Sequence, residues 1–113
     1  MRKISNVDDA IEKFKMAAID NRVCAYNGNY RKANRAYDNL MQIKKYLLEN
    51  NALDLLKQLY EDSNLWVRLA AAIAMAPFDD ENAFNIVKKM TDGEGLYSFS
   101  AKRTLLNWDK LNK

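Results

Sequence analysis

A chain of 113 residues with 49% hydrophobic and 29% charged side chains has a globular composition, and its length fits one domain, 1–113, with a real core. Three Gly and one Pro are too few for the many tight turns of an all-β sandwich, so the expected fold is all-α. The net charge of +3 is unevenly spread, with +4 over residues 1–50 and −4 over residues 51–94, so the total is a poor guide to a partner.

Hydrophobic periodicity predicts about six helices, at roughly 6–27, 29–49, 52–60, 65–76, 80–91 and 97–110. Ser5 or Asn6 can cap the first, with Asp8, Asp9 and Glu12 near its positive end. Val7, Ile11, Phe14, Ala18 and Ala25 recur along it, interrupted by Asn21. Gly28 sits where a left-handed C-terminal cap is expected. Ala33, Tyr37, Leu40, Ile43 and Leu47 form the apolar stripe of the second helix, which ends at the polar pair Asn50-Asn51. A short connection makes the two an antiparallel hairpin over 6–49.

The remainder contains an internal repeat, copies 52–76 and 80–110, offset by 31 residues. Leu53 falls on Phe84, Leu56 on Val87, Leu59 on Met90, Leu65 on Leu96, Trp66 on Tyr97, Ala70 on Ala101 and Ala74 on Leu105. Each copy reads as a short helix, a polar loop and a second helix. The loops are Glu61-Asp62-Ser63-Asn64 and Thr91-Asp92-Gly93-Glu94-Gly95. Pro77 ends one helix, and Asp79 or Asp80 can cap the next.

Within the first copy, Asp62-Ser63-Asn64-Leu65-Trp66-Val67-Arg68-Leu69-Ala70-Ala71-Ala72 resembles the core of a HEAT repeat. That family places a loop Asp before a Val-Arg pair and an alanine-rich helix, so the resemblance implies a HEAT-like α-α superhelix. It also implies that Asp62 and Arg68 are a structural pair bracing the loop. The second copy has Ser98 and Phe99 in place of Val67 and Arg68, which suits a capping repeat.

Residues able to carry out chemistry are scarce. The sequence has no His, and its single Cys24 forms no internal disulfide and has no imidazole to activate it. Gly93 and Gly95 lack the Lys-Ser/Thr that follows in a phosphate loop. The acidic pairs Asp8-Asp9, Glu61-Asp62 and Asp79-Asp80 sit at helix starts or in loops, where capping explains them. The expectation is therefore a protein that is not an enzyme and uses no metal and no cofactor. The longest apolar run, 69–78, is too short to span a bilayer, and the sequence after Met1 turns polar at once, so a cytoplasmic protein is expected.

Two surfaces stand out. Tyr30, Arg31, Lys32 and Arg35 form a basic, aromatic-containing helix start, which would suit a nucleic-acid-binding solenoid. Glu61 and Asp62 lie in one repeat loop and Asp92 and Glu94 in the equivalent loop, with Trp66 and Tyr97 close behind. Stacked repeats set equivalent loops along one edge, so these acids form a rim suited to a basic protein. The plainer alternative is that the loop acids are solvated and both rings are core.

A longer resemblance, over about residues 7–109, rests on three stretches. They are Gly28-Asn29-Tyr30-Arg31-Lys32-Ala33-Asn34-Arg35-Ala36-Tyr37-Asp38, Val67-Arg68-Leu69-Ala70-Ala71-Ala72, and Ser100-Ala101-Lys102-Arg103-Thr104-Leu105-Leu106-Asn107-Trp108. Together they resemble a small bacterial HEAT-like family similar to immunity proteins of contact-dependent and polymorphic toxin systems. What this implies is an inhibitor that binds one cognate toxin domain, often a basic nuclease, in a one-to-one complex and occludes its active site. A nucleic-acid-binding solenoid and a generic protein-interaction adaptor are the alternatives.

Overall fold

The structure, a computed structural model, describes residues 3–111. These residues form six α-helices and one 3-10 helix, with no strand, so the protein is all-α. The helices are α1 (Val7–Tyr26), α2 (Tyr30–Glu49), the 3-10 helix (Leu53–Glu61), α3 (Leu65–Met75), α4 (Asp80–Met90), α5 (Leu96–Leu106) and α6 (Trp108–Leu111). They fall into two compact units, one ending at Leu55 and the other beginning at Leu56.

The first unit is the α1–α2 hairpin. Asn6 is the N-cap: its side chain accepts from the Asp9 N–H at 2.8 Å, and the Asp9 carboxylate in turn accepts from the Ser5 N–H at 2.9 Å. Two orphan donors are satisfied this way. The hydrogen bond from Lys13, then that from Ser5, holds the Asp9 carboxyl below its usual range. The helix closes in a Schellman motif: Asn29 N–H reaches Cys24 C=O at 2.8 Å, Gly28 N–H reaches Ala25 C=O at 3.1 Å, and Gly28 has φ +79°. An L side chain at position 28 would pay for that angle. Asn21, which breaks the apolar pattern of α1, spends its side-chain amide on the Ala33 carbonyl of α2 at 2.9 Å, stitching the hairpin near its turn.

The buried arc of α2 is Ala33, Ala36, Leu40, Ile43 and Leu47. Tyr37, expected in that stripe, is instead 53% exposed. The 3-4-3-4 spacing of the arc selects Ala36, whose small side chain lets α1 approach, and leaves the phenol in water.

In the second unit α3, α4 and α5 pack on one another. Their core joins Trp66, Leu69, Ala72 and Ala76 of the α3 segment to Ala83, Val87 and Met90 of α4, Ala101 of α5, and Trp108. Ala72, Ala76, Ala83 and Ala101 have no exposed surface; with only a methyl group at each, the helices can come close. Two of the pairs set by the repeat share their burial, Leu56 with Val87, both fully buried, and Leu59 with Met90, both core; the other pairs differ, as where half-buried Leu65 answers to exposed Leu96.

Two expected spans change. The segment expected as a regular helix over 52–60 is a 3-10 helix over Leu53–Glu61. Leu53, Leu56 and Leu59 are all buried, and three residues per turn aligns them on one edge. The helix expected over 97–110 stops at Leu106 and restarts as α6 at Trp108. There the Trp108 indole N–H donates to Asp80 at 2.6 Å and the ring meets Phe84 edge-on, centroids 5.6 Å apart. Asp80 thus ties the chain's last turns to α4, while Asp79 occupies the N-cap position of α4 without making a capping bond.

Candidate functional site

The two polar loops of the second unit are the candidate site. Each precedes a helix, and the first is built residue by residue. The Asp62 carboxylate accepts from the Asn64 N–H at 2.9 Å, and the Asn64 side chain accepts from the N–H groups of Trp66 and Val67 at 2.9 and 3.2 Å, capping α3. Arg68 Nε donates to the backbone carbonyl of Asp62. Replacing Arg68 with Ala removes a charged donor from that loop carbonyl and should lower stability by about 1–3 kcal/mol, measured by urea unfolding. Arg68→Lys, which loses the planar fork, should recover only part of it.

The second loop uses a different device. Ser98, buried at the position equivalent to Val67, donates its hydroxyl to the Thr91 carbonyl at 3.0 Å. Gly95, at φ +83°, leads into α5. The missing arginine at Phe99 is therefore met by a neighbouring hydroxyl, and Phe99 itself is exposed.

Behind the loops the rings of Trp66 and Tyr97 lie with centroids 4.3 Å apart at 42°. Because these residues open α3 and α5, the loops before them are neighbours. Glu61, Asp92 and Glu94 are exposed there. Asp62 is half-buried and bound into the loop. Trp66 is only 7% exposed and belongs to the core, so it offers no surface anchor. Tyr97 is half-buried, with part of its ring against Trp66.

A cleft of about 270 Å³ opens beside the second loop, between the starts of α3 and α5 and the end of α4. Leu65, Arg68, Ile86, Lys89, Met90, Glu94 and Tyr97 line it together with Tyr60, Gly93 and Ser98. Sequence reasoning placed acids in these loops and read Arg68 as a loop brace, but missed Lys89. Lys89 reaches the cleft from the last turn of α4, where it also suits the helix dipole. A lysine in an exposed last turn carries no signal that a cleft lies beside it.

Tyr60, at the cleft edge, donates its hydroxyl to the Asp79 carboxylate at 3.1 Å. Burial first, and that hydrogen bond second, push its ionisation well above the ordinary tyrosine value. Since the folded value is raised, the stabilisation is fully present below the unfolded value of about 10 and is lost as pH rises beyond it. An alkaline ultraviolet titration of the folded protein should show one phenol, Tyr60, ionising well above the ordinary tyrosine value, and Tyr60→Phe should remove that late step.

On the other unit, Tyr30, Arg31, Lys32, Arg35 and Tyr37 are all exposed on the first half of α2. Among the described residues no group of three His, Cys, Asp or Glu side chains could hold a metal ion, and no helix is long and apolar enough to cross a membrane. Cys24 is a half-buried free thiol. No protein-family model matches the chain, and no curated protein or solved structure matches it.

Proposed function

We propose that the protein is a binding protein without catalytic activity, an immunity-type inhibitor that holds a basic bacterial toxin domain one-to-one and covers its active site. The observation that supports the reading is the Trp66–Tyr97 ring contact, made between the helices that follow the two acidic loops. Glu61, Asp92 and Glu94 are exposed in those loops, and in this reading their carboxylates form one acidic edge. Such an edge steers a basic partner into place and fixes its register. The HEAT-like character of the repeat and the resemblance of residues 7–109 to toxin-immunity proteins support the same assignment. A cytoplasmic site of action follows from it.

Co-expression with a toxin domain encoded beside the gene is the test. The wild-type protein should rescue growth and copurify with the toxin at a one-to-one ratio. A second reading, a nucleic-acid-binding solenoid, is favoured by one observation: Tyr30 and Tyr37 are more than half exposed beside Arg31, Lys32 and Arg35. Exposed rings among cations can stack on bases while the charges meet phosphates. If the protein neither rescues growth nor copurifies with the toxin, but retains nucleic acid in a salt-sensitive way, α2 is the functional surface and the inhibitor reading fails.

A further inference from the structure

The cleft beside the second loop differs in character from the acidic loops, with Glu94 the one carboxylate in its lining. Leu65, Ile86 and Met90 give it apolar walls, and Tyr97 adds an aromatic one. Arg68 and Lys89 supply two positive charges against the one negative charge of Glu94. Arg68 is half-buried and its Nε is already held by the Asp62 carbonyl. The guanidinium is thus fixed before any ligand arrives, and less side-chain entropy is lost when its outer nitrogens are engaged. Lys89 makes no ion pair among the described residues, so its charge is available.

We infer that this cleft binds a small monocarboxylate with an apolar or aromatic body, the carboxylate on Arg68 and Lys89 and the body against Leu65, Ile86 and Met90. Three features select that class. A volume of about 270 Å³ lies just below the usual range for drug-sized ligands, so the occupant is fragment-sized. A planar guanidinium matches a carboxylate with two parallel hydrogen bonds. One negative charge balances the lining, whereas a dianionic phosphate would be left in excess beside Glu94. This site is independent of the toxin-binding reading, and the two respond oppositely to one substitution. Loss of the Glu94 charge should weaken attraction for a basic protein, yet strengthen binding of an anion.

The test uses 3-phenylpropanoate and its neutral amide, 3-phenylpropanamide, titrated into the isotope-labelled full chain at low salt. The acid should give saturable shifts at the backbone amides of Leu65, Gly93, Tyr97 and Ser98 in the millimolar range. The amide should bind about tenfold more weakly, the loss expected when a charged hydrogen bond goes. Lys89→Gln, on an exposed residue, should weaken the acid several-fold while leaving the rest of the spectrum in place, and Glu94→Gln should tighten it. Equal affinity for acid and amide, no saturable shift at those four amides, or an unchanged affinity in Lys89→Gln would overturn the assignment.

Discussion

Trp66→Ala is expected to destabilise the second unit by about 3–5 kcal/mol, the usual cost of truncating a buried aromatic side chain. Trp66 is 7% exposed, stacks on Tyr97, and shares a core with Leu69, Val87, Met90 and Trp108. Alanine would remove the ring and leave a void that rigid α3 and α5 fill only in part. Since whole domains are stable by only about 5–15 kcal/mol, the variant should unfold at markedly lower urea. Trp108 remains as a fluorescence reporter in the same unit, so the transition can still be followed. Trp66→Phe, which keeps a ring against Tyr97, should recover much of the loss. If Trp66 were instead a partner anchor, alanine would leave the urea midpoint unchanged and abolish binding. A midpoint within error of the wild type would therefore show that the ring does not hold the loops together.

The helical class and most helix starts were legible in the sequence because local rules decide them. Asn6 before Asp8-Asp9 and Gly28 after Tyr26 carry their own capping chemistry, and α1 begins and ends there. The offset of 31 residues was legible in the apolar pattern, and burial follows it at Leu56 and Val87 and at Leu59 and Met90 but not at the other pairs. Three things were not. The spacing Leu53-Leu56-Leu59 fits a 3-10 helix, but the equivalent spacing Phe84-Val87-Met90 lies in the α-helix α4; spacing of three alone does not choose between them. The interruption at Asn107 is followed at once by a bond from Trp108 to Asp80, 28 residues away, which no local window contains. The cleft needs Ile86 and Lys89 from α4 set against the starts of α3 and α5, and only tertiary packing does that. The four acids were found as a charge pattern, yet Asp62 is committed to its loop through Asn64, a role that sequence spacing does not separate from that of the exposed Glu61.

The second large effect is expected on association with the proposed partner, a basic toxin domain. Glu61, Asp92 and Glu94 are exposed and lie in neighbouring loops, so changing all three to their amides removes three negative charges from one edge without touching the core. Asp62 is left intact, because Asp62→Asn would disturb the Asn64 N–H that it holds. Charges at the edge of an interface act mainly on the approach of the partners, so the loss should appear in the association rate and much less in dissociation. At low ionic strength a slowing of about tenfold or more is expected, shrinking toward none as salt shortens the screening length to about 3 Å at 1 M. The urea midpoint should stay within about 0.5 kcal/mol of the wild type, as for other exposed substitutions. The decisive measurement is stopped-flow association of the proposed toxin-domain partner with wild-type and triple-amide protein across a salt series. A steep salt dependence in the wild type that flattens in the variant is the predicted result; identical rates and identical slopes would contradict it.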